Sequence, residues 1–374
     1  MAKAANGRAD DELRLALPSK GMEDATVSFL AACGLGVARS NPRQYRAALR
    51  TPAGVTVIFQ RAADIFDKVD EGSVDLGITG YDIVREHEHE DDAVEVLYPE
   101  LGYGGCELVL AVPDTWIDVK SIGDLGQVAT DIRAKGAELR VATKYANLTR
   151  QFLYEQGINY FSIVGSQGAL EAAPSMGYGD VVSDLMSSGV TLRENHLKTI
   201  AGGTILRSEA CLIGNRRALA ASDAKLQRTR AILELIEAYL RGRNYASITA
   251  NVSGESEEAV ARRLTAHEPS AGLRGPTISR VYSKGGGAGP WFAVTVIVRR
   301  DQLLSAVEQL RKAGAVDMTV QDLHYVFEHR SWHFESLQRQ LGKAGSHRPL
   351  AASHQPPQST AKVRPNEPTA TPVS

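Results

Sequence analysis

The residues of this chain whose types and spacing carry the most chemistry lie between Gly168 and Leu197, in GALEAAPSMGYGDVVSDLMSSGVTLRENHL. The apolar run DVVSDLM reads as a strand that delivers Asp184 at its carboxyl end, and Ser187, Ser188, Gly189, Val190 and Thr191 follow it directly. Strand ends in open α/β sheets are where ligands bind. Small residues there let successive backbone N–H groups close on a phosphate together with the hydroxyls of Ser187, Ser188 and Thr191. A helix beginning near Thr191 adds its positive end. A carboxylate just upstream does not suit that phosphate; it suits sugar hydroxyls or a magnesium ion. An acid followed by Ser-Ser-Gly-Val-Thr is the arrangement a 5-phosphoribosyl group requires.

Such a loop needs a sheet to hold it, and the chain supplies the pattern of one. LRLALPSKG opens with a strand that runs into a helical pattern from Met22 to Ala32. GVTVIFQR (54–61) is a predicted strand, DIFDKVDEG (64–72) a short helix and DLGITG (75–80) another strand. This alternation predicts an α/β domain with a mostly parallel sheet. A second unit starts after GYGG (102–105). CELVLAVP (106–113), ELRVAT (138–143), NYFSIVG (159–165) and DVVSDLM (180–186) are its predicted strands, and NLTRQFLYEQG a helix capped by Asn147 and Gly157. ILRSEACLIGN (205–215) reads as one further strand, and residues 225–243 as a long amphipathic helix. From YASITANV to AVDMTVQDLHYVF the order is βαββαβ, the ferredoxin-like module. A short apolar-periodic stretch, WHFESLQRQL, precedes a Pro/Ser/Thr/Ala-rich tail from Lys343 that is expected to be disordered.

Composition narrows the class. The 374 residues suffice for two to three domains, and 43% hydrophobic with 23% charged residues fits a soluble globular protein. A net charge of −2 points to neither nucleic acid nor an anionic membrane as a partner. Cys33, Cys106 and Cys211 are far apart in sequence with no CxxC pair, which argues against a disulfide framework or a zinc site and for a reducing compartment. The polar start MAKAANGRADDE lacks the apolar core of a signal peptide, so a cytoplasmic location is expected.

Glu171, Gly177, Gly179, Val182, Asp184, Leu185, Ser188, Gly189, Thr191 and Leu192 together resemble the signature of the ATP phosphoribosyltransferases, the first enzymes of histidine biosynthesis. Family-like blocks continue in order: LRLALPSKG, Arg61 with Asp64 and Ile65, DLGITGYDIV (75–84), GGCELVLAVP (104–113), RVATKYANLTRQFL (140–153) and SEACLI (208–213). The likeness spans roughly residues 12–328.

This resemblance implies an α/β fold with a two-lobed, periplasmic-binding-protein-like catalytic region and a C-terminal ferredoxin-like regulatory domain. Lobe I would take 12–103 and about 200–224, lobe II 104–199, a linker helix and the regulatory domain 225–329, and a mostly disordered tail 330–374. The implied reaction joins adenine N1 of ATP to C1 of phosphoribosyl pyrophosphate with magnesium present, releasing pyrophosphate, under feedback inhibition by histidine. On this likeness Asp184 holds the ribose hydroxyls, Ser187 to Thr191 cradle the 5-phosphate, and Glu171 sits near the reacting ribose or the metal. Lys20 and Gly21, with Arg61, meet the polyphosphate across the cleft, where Lys or Arg is what recognition asks for. Asp75, Gly77, Thr79 and Gly80 line its nucleotide side, with Lys20, Glu171 and Asp184 the catalytic set. Histidine contacts fall at Asn251, Leu273 and Thr277. Two positions depart from the family's habit: Met22 stands where an arginine is frequent, and Asn251 where an acid is. The likeness also implies a homo-oligomer, with dimers building a hexamer.

Other stretches read as structure. SKGGGAGP (283–290) lacks the Lys-Ser/Thr ending of a P-loop and is a predicted hairpin connection. EHEHEDD (86–92) is a predicted solvated charge run rather than a metal site through His87 and His89, and Cys106 and Cys211 are predicted core residues. The runner-up function is a catalytically silent binding or regulatory protein of the same fold. Periplasmic small-molecule binding proteins share the two-lobed pattern, and the missing signal peptide argues against them.

Overall fold

Leu13, Leu15 and Leu17 alternate through LRLALP and are fully buried in β1 (Leu13–Pro18), the strand around which the first lobe is assembled. The computed structural model describes residues 11–343 except 42, 91–92, 166–169, 267–271 and 283–288. After β1 come α1 (Glu23–Ala32), β2 (Val37–Ala38), β3 (Arg46–Leu49), β4 (Val55–Gln60), α2 (Ala62–Asp70), β5 (Leu76–Gly80), α3 (Tyr81–His87) and β6 (Val94–Tyr98). The second lobe runs through β7 (Cys106–Pro113), α4 (Ile122–Ala134), β8 (Leu139–Thr143), α5 (Ala146–Glu155), β9 (Phe161–Gly165), α6 (Ala173–Met176), β10 (Val181–Met186), α7 (Val190–Glu194) and β11 (Leu197–Ser208). The chain then returns to the first lobe through β12 (Ala210–Asn215), α8 (Arg216–Ala221) and α9 (Asp223–Gly242).

The first sheet has the order β2-β3-β4-β1-β5-β12-β6 and the second β11-β7-β10-β8-β9. Neither is mostly parallel, contrary to expectation. Parallel pairing is confined to β4-β1-β5 and to β10-β8-β9, where helices make the crossovers. The flanks are antiparallel, because β2 and β3 fold back as a hairpin and β12 re-enters from the other lobe.

ILRSEACLIGN is likewise two strands, not one. β11 pairs with β7 as far as Ser208, Glu209 breaks it, and β12 joins the first sheet. The return to the first lobe therefore begins at Ala210 rather than near 200. Its backbone N–H donates to Tyr103 and its carbonyl accepts from Leu101, so the outgoing and returning crossings run side by side.

α9 belongs to the first lobe rather than to a linker. Leu226, Ile232, Leu233 and Ile236 lie in the same core as β1 and β4. The third sheet follows: β13 (Tyr245–Ser253), α10 (Glu257–Thr265), β14 (Thr277–Val281), β15 (Trp291–Arg299), α11 (Leu303–Lys312) and β16 (Ala315–Asp322). Its order is β14-β15-β13-β16 with every neighbouring pair antiparallel, the ferredoxin-like arrangement expected from βαββαβ. The last strand stops at Asp322. His324 and Val326 lie instead against α9, where the Val326 N–H donates to the Ala238 carbonyl and the His324 ring meets that of Tyr239.

α12 (Trp332–Gln340) then buries Phe334 and Leu337 in the first lobe's core, so the start of the expected tail is a structural helix. In chain order the ferredoxin-like module thus lies between two helices of the first lobe. Residues beyond Lys343 lie outside the described set. Among the described residues no helix is long and apolar enough to cross a membrane.

Candidate active site

β10 carries Asp184 two residues before its end, with Val181 and Val182 buried behind it. The Asp184 carboxylate is half-buried and accepts the Leu185 N–H at 2.8 Å. Burial raises its pKa above the usual carboxylate range, the Glu171 carboxylate raises it further, and the Leu185 N–H and Lys144 ammonium oppose both. Glu171 stands in the 3-10 turn Leu170–Ala172, so the structure brings these two acids into one field.

Beyond the strand, Ser187, Ser188 and Thr191 are exposed. Gly189 turns the chain into α7 at φ +70°, a left-handed conformation that residues with a Cβ rarely adopt. The loop is thus open to a ligand. Gly168, at the head of the sequence window, lies outside the described residues.

Lys144 escaped the sequence reading. β8 runs parallel to β10 with Thr143 registered on Ser183, which sets Lys144 and Tyr145 at the same sheet end as Asp184. Pairing of β8 with β10 is the signal that finds it, and that pairing is non-local.

In the first lobe, the structure brings Lys20 and Arg61 to one edge of the sheet. Pro18 of β1 is registered on Gln60 of β4, and the Ser19 N–H donates to the Gln60 carbonyl at 2.7 Å. Both cations are exposed, Lys20 beside exposed Gly21 and Arg61 at the start of α2.

The expected nucleotide wall is different. Asp75 is fully buried at the opposite end of β5, bonded to the Arg14 N–H at 2.7 Å and to Lys225 Nζ at 2.8 Å. It ties α9 to the sheet and faces no cleft. Gly77 lets α2 lie against the strand: a Cβ there would collide with the Ile65 side chain. Thr79 is buried and donates its hydroxyl to the Ala62 carbonyl at 2.8 Å, fixing the turn that carries Arg61. Gly80 is buried at the strand's carboxyl end, immediately before α3. The Asp75 and Thr79 side chains are not available to a nucleotide, because both are buried and bonded inside the lobe, and Gly77 offers no side chain.

Asn147 is not the cap of α5 either. The helix begins at Ala146, and the Asn147 and Leu148 N–H groups donate to the Glu86 carboxylate of α3 at 2.9 and 3.0 Å. Glu86 therefore departs from the expected solvated run by being buried, while His87 and His89 are exposed. Cys106 is half-buried rather than a core residue, whereas Cys211 is fully buried. SKGGGAGP falls on 283–290, of which 283–288 lie outside the described residues.

No group of three His, Cys, Asp or Glu side chains among the described residues is arranged to hold a metal. The neighbouring carboxylates of Asp184 and Glu171 would suit a magnesium ion arriving on substrate phosphates, since such an ion takes one or two carboxylates and keeps the rest of its sphere for phosphate and water. Asp184 and Glu171 are the residues that would meet it.

In the third sheet, Thr319, Thr249, Thr295 and Thr277 form one row across the four strands, on the face opposite the helices. Asn251 lies in the next row, with its Nδ2 3.3 Å from Asp317 Oδ2, and the Leu273 N–H donates to Ile297 beyond the other side of the threonine row. The structure thus does not bring Asn251, Leu273 and Thr277 together within one chain.

Fold and loop together define a two-lobed α/β transferase of the phosphoribosyl class, with a ferredoxin-like module built onto its first lobe. The chain belongs to the ATP phosphoribosyltransferase family. Its residues 61–260 match the family model described as ATP phosphoribosyltransferase, and residues 242–325 match that described as HisG, C-terminal domain. Among curated relatives, ATP phosphoribosyltransferase 1, chloroplastic, of Arabidopsis thaliana is 38% identical over 89% of this chain and 82% of its own length. The ATP phosphoribosyltransferase of Rhodopseudomonas palustris is 34% identical over 87% of this chain and 97% of its own. The solved ATP phosphoribosyl transferase (HisG:HisZ) complex from Thermotoga maritima aligns at a TM-score of 0.46 and 22% identity, covering 60% of this chain and 98% of that one.

Proposed function

We propose that this protein condenses ATP with phosphoribosyl pyrophosphate to give phosphoribosyl-ATP and pyrophosphate, the first step of histidine biosynthesis. The observation that carries the reading is half-buried Asp184 followed by the open Ser187–Thr191 loop, inside a chain that belongs to this family. Asp184 accepts the ribose hydroxyls, and the loop's N–H groups and hydroxyls hold the 5-phosphate. Lys20 and Arg61 face the polyphosphate from the other lobe.

Adenine N1 then forms its bond to C1 as the C1–oxygen bond breaks, and the electron pair leaves with pyrophosphate. The ribose passes through a cationic, oxocarbenium-like state, so orientation and the nearby Asp184 and Glu171 carboxylates lower the barrier without a covalent nucleophile. Magnesium, bound to the phosphates, supplies charge neutralisation for the leaving group. The cytoplasm is the proposed compartment, in keeping with three free cysteines.

Histidine is the proposed feedback inhibitor, acting on the ferredoxin-like module. Asn251 and Thr277 stand on different strands and Leu273 in the turn against Ile297, so a site that takes all three is proposed to lie between modules of two copies. A homo-oligomer, with dimers building a hexamer, is part of the same proposal. Thr277→Ala is expected to weaken histidine inhibition, read as a higher half-inhibitory concentration; an unchanged value removes Thr277 from the site.

Pyrophosphate release from the purified protein, given ATP, phosphoribosyl pyrophosphate and magnesium with and without histidine, tests the whole reading. Release that needs both substrates and falls with histidine is expected. Release indifferent to histidine leaves the transferase and removes the sensor; no release favours the silent binding protein.

The raised pKa of Asp184 gives a further expected result. Its carboxylate must be ionised to accept from two hydroxyls, and a raised pKa means that this form is lost earlier as pH falls. The acid limb of kcat/KM for phosphoribosyl pyrophosphate should lie above the ordinary aspartate range. Glu171→Gln removes one cause of the rise, so the limb should move to lower pH whatever happens to its height. A limb that stays or moves upward contradicts the assignment.

A further inference from the structure

Besides Asp75, the mechanism leaves two further buried carboxylates unused. Asp82 and Glu86 are four residues apart on one face of α3, 4% and 6% exposed. No lysine, arginine or histidine among the described residues forms an ion pair with either. Both are satisfied largely from outside the first lobe. Tyr145 donates its hydroxyl to Asp82 Oδ2 at 2.7 Å, and Ser208, the last residue of β11, donates to Asp82 Oδ1 at 2.6 Å. The Asp82 N–H donates back to the Ser208 oxygen at 2.9 Å. Glu86 takes the first free N–H groups of α5, its two oxygens divided between Asn147 and Leu148, and its own carbonyl accepts the Asn147 side-chain amide at 2.9 Å. One short helix of the first lobe thus holds both the start of α5 and the end of β11, the second-lobe strand from which the chain returns.

The same contacts lead to the phosphoribosyl loop. The Tyr145 N–H donates to Thr143 Oγ1 at 2.9 Å, Thr143 is registered on Ser183, and Ser183 shares a buried 2.8 Å hydrogen bond with Thr149 of α5. Asp184 is the next residue.

We propose that Asp82 and Glu86 form a clasp that sets the separation of the two lobes, and that Tyr145 is a positioning residue through which the clasp aligns the turn beside Asp184 with the first lobe. This rests on the phosphoribosyl reading of the loop. A hydroxyl donating to a buried carboxylate oxygen is a directional bond, and without it that oxygen is left without one of its partners. ATP on the first lobe and phosphoribosyl pyrophosphate on the second meet at reacting distance only if that separation is held. Misplacement by about 1 Å is enough to cost up to about a hundredfold in rate.

The test is Tyr145→Phe, which keeps the ring and its packing and removes one hydroxyl. Its kcat is expected to fall by roughly tenfold or more, while the Kd of phosphoribosyl pyrophosphate alone, by calorimetry, stays within about twofold, since that ligand needs one lobe only. Asp82→Asn keeps an acceptor for Tyr145 and a donor for Ser208, so it should recover most of the rate that Asp82→Ala loses. A Tyr145→Phe enzyme with kcat within about twofold of the parent overturns the clasp. So does one whose substrate affinity and kcat fall together by the same factor. If Asp184→Asn leaves phosphoribosyl pyrophosphate affinity intact in the same assay, the reading of the loop fails instead, and the two failures are told apart.

Discussion

Asp184→Asn is expected to weaken phosphoribosyl pyrophosphate binding by roughly ten- to a hundredfold, because charge-assisted hydrogen bonds contribute about 1.5–3 kcal/mol and the amide keeps only part of them. Its kcat should fall as well, since a negative group beside the cationic ribose is lost when the transition state needs it most. Thr191→Val removes a neutral hydroxyl at the phosphate and should cost about three- to tenfold in affinity with little change in kcat. Neither substitution endangers the fold. Thr191 is exposed, and the Asp184 carboxylate accepts a hydrogen bond from its own neighbour's N–H. An acid whose pKa burial has raised is, if anything, relieved by losing its charge. Calorimetry and steady-state kinetics on the two variants decide the matter: intact affinity in both means the loop binds something else.

The contrast between that loop and its surroundings shows which parts of a site a sequence can reveal. Asp184 and the residues to Thr191 are contiguous, and their chemistry follows from their own backbone and hydroxyls, so the role proposed for them can be argued from residue types alone. Lys20 and Arg61 are legible for a related reason, as each ends an apolar alternating strand; only the pairing of β1 with β4 places them side by side. Lys144 needed the pairing of β8 with β10 and was missed. Charge in a sequence also suggests solvent, yet Asp75, Asp82 and Glu86 are all buried because their partners lie far along the chain, at Lys225, Ser208 and Asn147. The antiparallel flanks of both sheets were hidden for the same reason, since a returning strand such as β12 carries the same apolar pattern whichever way it enters. Phe334 and Leu337 illustrate the converse case. Their helical period is plain in WHFESLQRQL, but nothing local says that the helix reaches back past the ferredoxin-like module to the core of the first lobe.

Asp75 separates a structural role from a ligand-binding one most sharply. Its carboxylate is wholly buried between the Arg14 backbone N–H and Lys225 Nζ, and Lys225 itself is nearly buried on α9. Asp75→Ala would leave that ammonium without its counter-charge, and breaking a buried pair from one side costs about 3–5 kcal/mol. Against a total stability of roughly 5–15 kcal/mol for a domain, the loss is large enough to appear as a marked fall in thermal midpoint or in soluble yield. Lys225→Met should cost less, since Asp75 keeps the Arg14 contacts. The double variant Asp75→Ala with Lys225→Met should recover part of the loss, because removing both partners removes the stranded charge. A ligand-contact residue would behave in the opposite way: the midpoint without ATP would hold while ATP affinity fell. Thermal unfolding of the three variants without ligand, beside ATP titrations of whichever remain folded, therefore distinguishes the two roles. An unchanged midpoint with weakened ATP binding would move Asp75 back to the cleft and would mean that α9 is held to the sheet by its apolar face alone.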